Sequence, residues 1–249
     1  IGSSAFRSAS SLTFINIPET VTSIGENAFQ SSGLTSINIP KGVTKIDQYA
    51  FQSASSLATV TFAPNSRLTT IGANAFKYAN SLTEITIPAS VKSIGEGAFW
   101  WASSLTFINI PKGVTSIGDS AFQYSGLTSI IIPASVESIG QMAFANTYDI
   151  TEIIVSLSNT HYKDISGVLF NSNQENLIQY PLGNTRTIYE IPDSVITIEE
   201  GAFFGASSLT SITLPNGLTI IGESAFINSY NLTSITIPAS VTSIGDSAF

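Results

Sequence analysis

The chain has 249 residues, 43% of them hydrophobic and only 10% charged, with seventeen acidic against nine basic residues for a net charge of −8. Such a surface repels nucleic acid and anionic membrane, and no run of 18 apolar residues offers a transmembrane helix. The lack of cysteine excludes disulfides, zinc–thiolate sites and cysteine nucleophiles together.

The phrase Ile-Gly-x-x-Ala-Phe recurs along the chain, and its phenylalanines are Phe6, Phe29, Phe51, Phe76, Phe99, Phe122, Phe144, Phe203, Phe226 and Phe249. Successive gaps are 23, 22, 25, 23, 23, 22, 59, 23 and 23 residues, and the gap of 59 is two periods of 23 plus 13. Self-similarity of that length marks a solenoid, in which each unit buries its apolar face only against its neighbours. The repeat therefore predicts one elongated domain over 1–249, with roughly ten to eleven coils of 23 residues. The phenylalanines are expected to form an internal column with one ring per coil.

In chain order each unit reads Leu-Thr-x-Ile-x-Ile-Pro, then Val-Thr-x-Ile-Gly, then Ala-Phe, as in Leu232–Phe249. Alternation of Ile235 and Ile237 around Thr236 predicts a strand. Pro238 ends it, because proline has no N–H for a ladder. Nine of the ten prolines close such a strand, and Pro181 is the exception. Val241–Gly245 reads as a second short segment on the opposite wall, leading to a brief helical or 3₁₀ turn that carries Ala248 and Phe249. Asp47 and Glu199 replace the glycine in two copies, which argues against an obligatory positive φ there. Acids that follow it, such as Glu26, Glu96 and Asp119, suit the start of a helical turn. Over 156–187 the pattern breaks. Val168–Phe170 and Leu177–Tyr180 read as short strands joined by the exposed polar turn Asn171–Glu175, a hairpin-like interruption whose shortening leaves the coils intact.

The combination Leu-Thr-x-Ile-x-Ile-Pro, Val-Thr-x-Ile-Gly and Ala-Phe resembles the BspA-like leucine-rich repeats of bacterial and protozoan surface proteins. The interruption, with Tyr162–Phe170 followed by Asn176–Pro181, looks like the family too. The resemblance implies a β-rich α/β fold, a right-handed leucine-rich-repeat solenoid with a parallel sheet. It also implies secretion or surface display, at an extracellular or cell-surface location, and adhesion to host protein, including extracellular matrix. Many members carry a cysteine after Ala-Phe, where this chain has small residues such as Ala54, Ala102 and Ser125. The chain starts and stops inside repeats, so a longer parent protein is expected, with targeting and anchoring signals outside this fragment.

No enzymatic, cofactor or metal motif is present in the sequence. His161 is the only histidine and lies near Asp164, but no nucleophile elbow accompanies it. The residues flanking the middle isoleucine of each strand point outward, and most are Ser, Thr or Asn. Phe14, Phe107 and Ile131 place apolar groups on that polar face. Trp100 and Trp101 follow Phe99, and Tyr78, Trp101 and Tyr124 take the same position in three consecutive coils. These seven residues are the candidate binding positions for a protein partner. Two alternatives stay open: a carbohydrate-binding module using stacked aromatics, and a passive stalk that presents another domain.

Overall fold

The computed structural model describes all residues 1–249, and they are built from short strands and turns alone. Two compact units result: Ile1–Leu127 with Ser135–Phe144, and Thr128–Ala134 with Ala145–Phe249. Each is a stretch of β-solenoid with about 23 residues per coil.

In the first unit a coil has three walls. The first holds the Leu-Thr-x-Ile-x-Ile strands, where Ser36–Ile39 pairs in parallel with Thr59–Phe62, and Glu84–Thr86 with Phe107–Asn109. Alternation sorts their side chains, so Ile37 and Ile39 are buried while Asn38 faces solvent. The second wall is a six-stranded parallel sheet of two-residue strands, from Ser23–Ile24 in chain order to Ser138–Ile139. Threonine explains the fixed Leu-Thr and Val-Thr pairs. The hydroxyls of Thr35, Thr106, Thr69 and Thr115 each donate to a backbone carbonyl one coil back, at 3.0–3.3 Å.

The third wall departs from the expected helical turn. Around Phe29, Ala28, Gln30 and Ser32 donate to Gly25, Asn27 and Phe29 three residues back, all at 3.1 Å. The residues between them, Asn27, Phe29 and Ser31, donate instead to Gln48, Ala50 and Gln52 of the following coil at 2.7–3.1 Å. This alternation needs left-handed backbone two residues before and two after each phenylalanine. Asn27 and Ser31 have φ of 55°, and Tyr49 and Ser53 have 58° and 56°. Positive φ at the third position of a turn defines the type II family and cannot propagate as a helix. With no helix there is no dipole to explain the acids; Asp119 instead accepts the Gln141 N–H of the next coil at 2.9 Å.

The glycine of Ile-Gly is not left-handed, as its replacement by Asp47 and Glu199 implies. Close approach accounts for it, since a Cβ at Gly118 would sit 2.5 Å from the Glu96 nitrogen. Inside the coils Phe6, Phe29, Phe51, Phe76, Phe99, Phe122 and Phe144 form a column. Neighbouring centroids lie 5.1–5.6 Å apart and ring planes tilt by 3–7°.

In the second unit Ser129–Ile132 pairs with Glu152–Val155, and Ile188–Glu190 with Ser211–Thr213, all parallel. The interruption forms an antiparallel meander of Tyr162–Ile165, Val168–Asn171 and Asn176–Gln179. It is not peripheral. Asn176–Gln179 continues in parallel into Thr197–Ile198, and Val168, Leu169, Phe170 and Leu177 are fully buried. Tyr180 stacks on Phe203 at 5.2 Å and its N–H donates to Ala202, so it takes a phenylalanine's place. Burial raises the phenol pKa values of Tyr180 and Tyr189, against a smaller opposing effect of Arg186.

The expectation that the Asn171–Glu175 turn can be shortened freely is corrected by its bonds. Glu175 O accepts from Ile196 and Thr197 at 2.8 and 3.1 Å, and Gln174 O accepts from the Ser194 hydroxyl at 3.0 Å. The turn is exposed in its side chains and structural in its backbone. Replacing 171–175 by Asn-Gly is predicted to lower stability by about 2 kcal/mol or more, the sum of several lost hydrogen bonds. A urea titration checks this, and an unchanged midpoint contradicts it. Phe122→Ala, within the first unit's column, is expected to cost about 3–5 kcal/mol. A melt overlaying the parent's would show that the ring is not a packed element.

Candidate interaction face

The third wall fixes where its side chains go. Residues at the left-handed position two after each phenylalanine follow one another from coil to coil, so Tyr78, Trp101 and Tyr124 form a row. Tyr78 N–H donates to Trp100 O at 2.9 Å, and Trp101 N–H to Gln123 O at 2.8 Å, which holds the row in register. Trp101 stacks on Tyr124 with centroids 4.2 Å apart and planes 26° apart, and meets Tyr78 at 6.1 Å. Trp101 remains 40% exposed, while Tyr78 and Tyr124 are half-buried.

The backbone of this row is strained. Tyr78, Trp101 and Tyr124 have φ of 61°, 59° and 59°, where the other coils use Ser8, Ser31, Ser53, Asn146, Asn228 and Gly205. A bulky residue there costs about 1 kcal/mol or more. Asparagine and glycine tolerate the conformation best, and neither occupies this position in these three coils.

Trp100 lies one position earlier and is half-buried, so it belongs beneath the row. Lys77, a residue the sequence reading passed over, places its Nζ 3.6 Å from the Trp100 ring centroid and 5.3 Å from that of Tyr78. Partial burial lowers the Lys77 pKa, against a smaller raising effect from Glu96. Its position was available from the period, since Lys77 and Trp100 both directly follow a column phenylalanine.

The strand-face candidates do not gather into one patch. Phe14 and Phe107 are 66% and 53% exposed but stand four coils apart in the first unit. Phe107 pairs with Glu84, not with another apolar side chain. Ile131, 60% exposed, belongs to the second unit, where it registers beside the exposed Ile154. Leu157 and Tyr230 are also strongly exposed, each a single side chain in a turn. His161 is exposed beside the Thr160 hydroxyl, while the carboxylate of Asp164 accepts the Val155 N–H at 2.8 Å. The two are not assembled as a base and its orienting acid.

No curated protein matches the sequence. Among solved structures, the pneumococcal vaccine antigen PcpA superposes with a TM-score of 0.85 at 26% identity, over 94% of this chain and 66% of that one. A leucine-rich cell surface protein from Faecalibacterium prausnitzii gives 0.70 at 30% identity, over 92% and 74% of the two chains. A leucine-rich repeat protein from Bacteroides ovatus gives 0.72 at 28% identity, over 98% and 66%. This chain thus spans about two thirds of the pneumococcal and Bacteroides proteins. The family model for the BspA type leucine rich repeat region matches in six copies over residues 1–102, 69–188 and 184–249. With the repeat, the stacked coils and the bacterial surface-protein neighbours in agreement, the chain belongs to the BspA-type leucine-rich-repeat family.

Proposed function

We propose that this chain is a non-enzymatic binding protein of the cell surface or extracellular space, which adheres to a host or extracellular-matrix protein. The observation that carries the reading is the aromatic row Tyr78–Trp101–Tyr124, held at three strained backbone positions where sibling coils place Ser, Asn or Gly. Stability alone disfavours aromatics there, so another use for the exposed Trp101 edge is favoured. Large amphipathic rings anchor protein interfaces, and Lys77 over Trp100 adds a cation at the base of the row. Its similarity to a pneumococcal vaccine antigen and to a bacterial cell surface protein supports the location.

A sugar platform on this row fits the geometry less well. At 4.2 Å Trp101 and Tyr124 turn their faces toward each other and leave ring edges outward. A pyranose stacks on a free face.

The test is an adhesion assay on immobilised matrix proteins. Trp101→Asn suits the left-handed backbone, as Asn228 does in its own coil. It is expected to weaken binding about thirtyfold, the loss of one aromatic anchor, with an unchanged melt. Phe107→Ser is the paired control on the strand face. Full binding by both variants removes both faces from the account, and no binding by the parent leaves the stalk as the better reading.

A further inference from the structure

The coil between Phe51 and Phe76 has 25 residues, two more than the standard period. The excess lies between Phe62 and Leu68. Ile39 registers with Phe62, a step of 23, whereas Lys45 registers with Thr70, a step of 25. Beside this insertion strand pairing of the first wall is interrupted: Thr59–Phe62 pairs only with Ser36–Ile39, and Glu84–Thr86 only with Phe107–Asn109, although pairing also stops after Phe107–Asn109, where no residue is added. The second wall stays continuous through Thr70–Ile71 and Ser93–Ile94, and Phe51 and Phe76 remain stacked at 5.2 Å. The interruption is confined to one side of the coils, and it borders an open groove of about 580 Å³.

The lining departs from the repeat in three ways. Phe62 stands where other coils bury Ile39 and Ile87, yet it is only half-buried and borders the groove. Ser90 is the second departure. Ser135 and Ser240, at its position, donate to the carbonyls of Val114 and Leu218 one coil back at 2.6 Å. The Ser90 hydroxyl is buried and makes no such bond. Third, Asn65 and Glu84, both solvent-exposed, line the same space. Ser66, beside them, accepts the Leu68 N–H at 3.3 Å and keeps its own hydrogen to give.

We propose that this groove is a binding site for a small neutral saccharide, distinct from the aromatic row and independent of it. The volume falls in the range of small-ligand sites. Sugar hydroxyls both donate and accept, and Asn65, Ser66 and Ser90 offer both roles while Glu84 accepts. Phe62 supplies an apolar wall for the C–H face of the ring. Glu84 is the only charged residue in the lining and the whole chain carries −8, so an anionic ligand is disfavoured.

Saturation-transfer NMR and titration of the full chain with glucose, galactose, N-acetylglucosamine and lactose tests the site. At least one sugar is expected to bind, and Glu84→Gln and Asn65→Ala each to weaken it about tenfold, the usual effect of a lost hydrogen bond in such a site, with melts unchanged. Deleting Asn65 and Ser66 restores the 23-residue step and is expected to abolish binding in a folded protein. Trp101→Asn is expected to leave it intact, which separates this site from the row. No binding by any sugar, or binding that survives all three groove variants, overturns the proposal. Binding by a short lysine peptide and not by sugars overturns it as well, since Glu84 would then be reading charge.

Discussion

The structure depends on one backbone constraint. Each regular coil holds a left-handed residue two before and two after its phenylalanine, as at Ser120 and Tyr124 around Phe122. Those two positions rotate alternate N–H groups out of the turn and toward the next coil. Ser120 and Phe122 then bond Gln141 and Ala143 at 2.9 and 2.8 Å. The turn wall becomes a third ladder beside the two strand walls, and all three must repeat at one spacing. The spacing of the phenylalanine rings follows from that agreement. Parallel rings with centroids 5.1–5.6 Å apart show coils related by translation with little rotation within the first unit.

Other fixed residues of the repeat serve the same stacking. The threonines spend their hydroxyls on carbonyls one coil back and so satisfy backbone acceptors at the wall edges. The glycine clears space for the preceding coil's backbone, and not for a special φ of its own. Little charge is required: only 10% of the residues are charged, and the ion pair Lys45–Asp47, at 2.8 Å, is exposed. Such a pair contributes little. Variation at the turn and strand positions therefore leaves the fold intact, and that freedom is where the aromatic row and the groove arise.

Much of the fold was legible because the repeat prints one message ten times. Phenylalanine, proline and the two isoleucines mark the column and the strand ends without help from any single coil. The third wall was misread as a helical turn, since its left-handed positions carry Ser4, Asn27, Tyr49, Gly97 and Met142, a set with no common propensity. Only the column of all coils, set against the intercoil bonds, shows what they share. Tyr180 was also missed, although it lies one period of 23 before Phe203; a search for phenylalanine alone steps over it. For the candidate faces, the period identified Tyr78, Trp101 and Tyr124 as neighbours, but not their strain or the cation from Lys77. The gap of 25 was visible in the sequence, while the strand pairing beside it required coordinates.

The central claim is that the turn wall is a ladder of left-handed turns and not a column of short helices. Stability of Ser120→Gly against Ser120→Ala, by denaturant titration, tests it directly. With φ of 52° at this position, glycine is expected to be the more stable variant by about 1 kcal/mol, because alanine's Cβ opposes the left-handed backbone. A helical turn reverses the order, since alanine is the better helix former by a similar amount. Alanine more stable than glycine would contradict the account.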